Sequence, residues 1–127
     1  MKIISPALDL NEEATLVDIP KIIQSLEDKE DPFAILEQDE LTYIQTLWTP
    51  NGYHLEYQEG DVNRHFQSTS PLSKEQVAYC FQSYFSSDQN WKSQIEFEQK
   101  IIRDTPFNLG RSIGQFFGGF LRGFNKA

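Results

Sequence analysis

The chain has 127 residues, with 11 Lys and Arg against 19 Asp and Glu, 39% hydrophobic residues and 13% aromatic ones. That length gives one domain with room for a core that needs neither metal nor disulfide. A net charge of −8 excludes the phosphate-neutralising surface that non-specific nucleic-acid binding requires. The single cysteine, Cys80, excludes an internal disulfide and fits a reducing, cytoplasmic setting.

Residues 1–18 carry Pro6 and the acidic pair Glu12-Glu13, and read as irregular; they lack the uninterrupted apolar run of a signal peptide. From Ile19 a short helix is expected. Pro20 suits its first turn, and Ile19, Ile22, Ile23 and Leu26 make one apolar stripe. Asp28-Lys-Glu-Asp-Pro32 ends it. The period then changes to two. Phe33–Gln38 reads as a buried strand, Asp39-Glu40 as its turn, and Thr42–Trp48 as a second strand, with Tyr43 and Leu47 opposite Ile44 and Trp48. Thr49-Pro-Asn-Gly52 is a hairpin signal, because Asn-Gly accepts positive φ. Tyr53–Gln58 alternates, with Tyr53, Leu55 and Tyr57 inward and His54, Glu56 and Gln58 outward. Glu59-Gly-Asp61 then leads to a fourth strand over 63–68. Connections this short make a four-stranded antiparallel meander.

Ser73 and Gln76 form a capping box for a helix whose buried stripe is Val77, Cys80, Phe81 and Tyr84. Asp88 is placed to cap the segment that follows. Residues 90–98 fit a helix through Trp91 and Ile95, or an edge strand through Ile95 and Phe97; Ile101 and Ile102 extend the helical pattern. The expected architecture is α+β: one domain over 1–105, its sheet covered by helices, and a separate Gly/Phe-rich helical docking segment over 106–127.

That last segment differs from the rest in kind. It holds Phe107, Phe116, Phe117, Phe120 and Phe124, five of the seven glycines, and Arg111, Arg122 and Lys126 without one acid. Its charge is +3, while eight bases against nineteen acids leave residues 1–105 at −11. Gly110, Gly114 and Gly118 recur at four-residue spacing, which permits close helix approach. Each helical glycine costs about 0.8–1 kcal/mol relative to alanine, so the segment needs burial to order it. Its own core, a second copy, another protein or a membrane surface would all supply that burial. The longest uncharged stretch, Ser112–Leu121, is half of the ~20 residues a membrane-crossing helix needs.

Chemistry is sparse. His54, Glu56, His65 and Glu59 lie on adjacent expected strands, where a His–carboxylate pair would serve acid–base chemistry and two His with a Glu would ligate zinc. No close-spaced ligand pair occurs, and alternation places these residues on the polar side, as exposed or cross-strand pairs. Cys80 sits on an apolar stripe, no serine has a Gly-x-Ser-x-Gly setting, and Gly118-Gly119 lacks a phosphate-loop lysine. The expectation is a protein without catalytic residues, metal or cofactor. Tyr43, Trp48, Tyr57, Phe66 and Trp91 are the candidate anchors for a protein partner, joined by Phe116, Phe117, Phe120 and Phe124 of the tail.

Two resemblances sharpen this. Tyr43-Ile44-Gln45-Thr46, Leu55–Gly60, Arg64-His65-Phe66, Leu72-Ser73 with Val77, Phe81 and Tyr84, Trp91 and Phe97-Glu98 resemble a family of small bacterial α+β proteins. That family is similar in plan to the immunity proteins of polymorphic toxin systems, and the likeness covers residues 33–98. With the Gly/Phe-rich tail added, the plan is also similar to the CcmS family of cyanobacterial carboxysome assembly chaperones. The first resemblance implies a toxin-neutralising binder. The second implies a homodimeric chaperone that takes the C-terminal extension of a shell protein.

Overall fold

A computed structural model describes residues 1–101, and the expected docking segment over 106–127 lies outside the described residues. The α+β class holds, with an antiparallel sheet and few helices, but the sheet has seven strands rather than four. In chain order these are β1 (Lys2–Ser5), β2 (Leu10–Glu13), β3 (Phe33–Asp39), β4 (Thr42–Thr49), β5 (Gly52–Glu59), β6 (His65–Ser68) and β7 (Phe97–Gln99). Their spatial order is β2-β1-β3-β4-β5-β6-β7, every pair antiparallel. The helices are α1 (Ile19–Ser25), α2 (Lys74–Phe85) and α3 (Trp91–Gln94).

The four central strands follow the two-residue alternation and the turn residues. The β4–β5 hairpin closes on Pro50-Asn51, with Thr49 opposite Gly52. The positive φ therefore falls on Gly52 (+130°) alone, and not on an Asn-Gly pair as expected. There a Cβ would lie 2.9 Å from the Leu72 carbonyl, so glycine is required for space as well as for φ.

Three strands escaped the sequence reading, all toward the sheet edges. Residues 1–18 are not irregular: β1 and β2 form a hairpin, with β1 against β3. Two isoleucines give β1 too short an alternation to recognise, and β2 is an acidic, mostly exposed edge strand, a composition that discourages edge-to-edge association. The helix expected over 90–98 shrinks to the single turn α3, after which Phe97–Gln99 pairs with β6. Phe97 thus follows the strand alternative, while Ile95, extended, only ends α3.

The helices cover one face. Ile19 and Ile23 of α1, Val77, Cys80 and Phe81 of α2 and Trp91 of α3 pack against Leu36, Ile44, Leu55 and Tyr57 in a single core. The capping box forms as expected: Gln76 N–H donates to Ser73 Oγ (3.1 Å) and Ser73 N–H to Gln76 Oε1 (2.8 Å). Each fully buried side chain of this size contributes about 1.5–3 kcal/mol of transfer free energy. Among the described residues no helix is long and apolar enough to cross a membrane.

Candidate functional site: the second face of the sheet

Alternation gives a seven-stranded sheet two faces, and the described helices cover only the first. On the second, Ile4, Phe33, Ile35, Tyr43 and Leu47 form a separate buried cluster made solely of strand side chains from β1, β3 and β4. The run Phe33-Ala-Ile-Leu36 explains its origin. Ala34 and Leu36 point into the helix-covered core, while Phe33 and Ile35 point the other way, as in a strand buried on both sides. The register continues this row into β4, with Phe33 opposite Leu47 and Ile35 opposite Gln45.

Beyond β4 the face turns polar without becoming exposed. Gln45 and Glu56 are register partners, as are Tyr43 with Gln58 and Gln58 with His65. Glu56 is the hub. Its Oε1 accepts from His65 Nε2 (2.5 Å) and Gln45 Nε2 (3.4 Å), and its Oε2 from His54 Nε2 (2.7 Å) and Lys100 Nζ (3.0 Å). His65 Nδ1 faces Gln58 Oε1 at 3.0 Å, while Gln58 Nε2 donates to the Leu41 carbonyl, which fixes the amide's orientation. Both His65 ring nitrogens therefore face side-chain oxygens, one on Gln58 and one on Glu56.

Burial, the largest single influence on Glu56, pushes its carboxyl up. The hydrogen bonds from His54 and His65 and the Lys100 charge outweigh it and hold the group low, at about 2. The His54, Glu56 and His65 of the sequence analysis thus do converge, but as an interior network and not as the exposed pairs expected: Glu56 and His65 are both fully buried. Glu59 stays apart, on the other face, paired with Arg64 (3.2 Å) and Lys92. Gln45, Gln58 and Lys100 were missed. The signal for the two glutamines was their register against Glu56 and His65, which sequence alternation alone does not supply. Among the described residues no cluster of three or more His, Cys, Asp or Glu has metal-holding geometry.

The five aromatic anchors of the described part do not share one surface. Tyr57, Phe66 and Trp91 come together with Phe97 on the helix-covered face. Tyr57 stacks on Phe66 at 5.0 Å between ring centroids, with edge contacts to Trp91 at 4.8 Å and Phe97 at 4.9 Å. Trp91 is fully buried there. Trp48 packs against the same core while half-buried. Tyr43 alone lies on the second face, its ring edge-on to His65 at 6.2 Å. The tail's Phe116, Phe117, Phe120 and Phe124 lie outside the described residues.

Next to Tyr43 the rim of the second face becomes acidic. A groove of about 350 Å³ at the ends of β1 and β3 is lined by Glu13, Glu37, Asp39 and Glu40 with Lys2 and the Met1 amino group. The second face thus grades from an apolar row to a buried charged network, and ends at an acidic groove. These features define an antiparallel α+β protein whose second sheet face carries an apolar row, a buried charged network and an acidic groove. No known protein family, curated protein or solved structure matches the chain.

Proposed function

We propose that the protein is a non-catalytic protein-binding module, an assembly chaperone or adaptor, and that the second face of its sheet is the binding surface. The observation that carries this reading is a sheet face with a buried apolar row to which the described helices contribute no side chain. Large apolar sheet faces need a second layer. The Glu56 network speaks for binding over chemistry. Its carboxylate already accepts four hydrogen bonds, about its full capacity. A group held at about 2 is a poor base near neutral pH. Catalysis would need a free lone pair and a closer pKa. Cys80, buried and pushed up to about 12, is no nucleophile.

A second reading, a toxin-neutralising immunity protein, draws support from the acidic groove beside Tyr43, which complements a basic nuclease cleft. Capture from native lysate tests the main reading. Wild type and a Tyr79→Ser control on the exposed side of α2 should retain one stoichiometric partner. The pair Ile4→Thr and Phe33→Ser should lose it with the far-ultraviolet circular dichroism unchanged. Capture indifferent to the face, or a turnover abolished by Glu56→Gln in a folded protein, would overturn the proposal.

A further inference from the structure

We infer that the second face is a docking site for the chain's own residues 106–127, which occupy it in cis as an internal ligand. This rests on reading the face as a binding surface, and adds what fills it when no partner is present.

Four observations converge on that occupant. The first is where the described chain ends. After β7 the Lys100 N–H donates to the His65 carbonyl (2.8 Å), and the Lys100 side chain turns onto the second face to reach Glu56. Lys100, one residue before the last described position, is thus tied to the second face by its side chain. Reach is the second. From β7 to β1 there are five interstrand spacings, or roughly 24 Å at ~4.8 Å each. The 22 residues from Pro106 span about 33 Å if helical, enough to cross the apolar row.

Charge is the third. The segment carries Arg111, Arg122 and Lys126 and no acid, while the groove at the far end of the face presents Glu13, Glu37, Asp39 and Glu40. The fourth is composition: five phenylalanines match an apolar row of Ile4, Phe33, Ile35, Tyr43 and Leu47, and the glycine rows let a backbone approach a sheet closely. Tethering strengthens the argument. A segment joined a few residues from its site experiences an effective concentration on the order of millimolar, so modest intrinsic affinity fills the site. An external partner with a similar cationic, aromatic segment must then compete with the tail.

Photo-cross-linking in the full-length chain tests this. Tyr43 is replaced by p-benzoylphenylalanine, with Phe33 replaced in a second protein in case the first variant folds poorly. After irradiation the products are sized and the adducts mapped by mass spectrometry. The expected result is a monomer-sized adduct joining the probe to a peptide within 106–127. Its yield should drop to background when Phe116, Phe117 and Phe120 are changed together to Ser. A dimer-sized adduct to the same segment would overturn docking in cis but leave the binding face standing, with a second copy as occupant. No adduct to residues 106–127 in either protein would overturn the inference. Failure of both probes to cross-link to any protein segment would count against the binding-face reading as well.

Discussion

Replacing Glu56 with glutamine removes one charge and little volume, so its consequence can be worked from the network around it. The carboxylate gathers His54, His65, Gln45 and Lys100 inside a sheet, with no exposed surface of its own. Its low pKa means the folded state binds a proton there less readily than the unfolded chain does. The stabilisation is therefore fully present above the ordinary value of 4.5 and is lost as pH falls toward about 2. That gap corresponds to on the order of 3 kcal/mol, within the ~3–5 kcal/mol typical of breaking a buried ion pair by removing one partner. Urea denaturation at pH 7 should show Glu56→Gln destabilised by about that amount. Repeating it at successively lower pH isolates the carboxylate, because the other acids are common to both proteins. The difference between the two proteins should shrink steadily between about pH 4.5 and about pH 2. A difference under about 0.5 kcal/mol at neutral pH, or one independent of pH, would refute the view that Glu56 is an ionised structural hub.

Three further outcomes follow from the fold. Cys80, fully buried and pushed up to about 12 by that burial, should resist iodoacetamide in the native protein and react promptly in guanidinium; fast native alkylation would contradict its place in the core. Ser73→Ala removes one half of the α2 capping box and should lower stability by about 1 kcal/mol in urea titration, an effect absent only if the cap does not form in solution. Gly52→Ala should cost about 1–3 kcal/mol, because its φ of +130° and the 2.9 Å approach to the Leu72 carbonyl leave a Cβ no strain-free position; a neutral melting temperature would show that the β4–β5 turn relaxes easily.

The legible and illegible parts of the fold divide along physical lines. β3–β6 were readable because turn residues separate runs of alternating side chains, and α2 because its capping box and four-residue stripe act locally. β1, β2 and β7 were not. They are three or four residues long and draw their order from a neighbour's hydrogen bonds rather than from a pattern of their own. The site shows the same division. Alternation placed His54, Glu56 and Gln58 on one side correctly, but polar side chains suggested water. The sequence holds no local sign that Lys100, 44 positions from Glu56, reaches the same carboxylate. The clue to a second buried face was the continuous apolar run at Phe33–Leu36, which no one-sided sheet requires. Residue type does not separate Tyr57 and Trp91, which belong to the helix-covered core, from Tyr43, which does not.

The central claim is that the second face of the sheet is a binding surface and that residues 106–127 are its first ligand. A nitroxide on Ser112→Cys tests it in the intact chain, since buried Cys80 needs no removal. Methyl spectra should show strong paramagnetic broadening at Ile4, Ile35 and Leu47, which line the second face. Signals of Ile3, Ile44 and Leu55, on the opposite face of the sheet, should be far less affected. Mixing labelled protein with a separate isotope-enriched chain should leave both sets sharp. Broadening confined to the helix-covered set, or to neither set, or appearing only between molecules, would contradict the account.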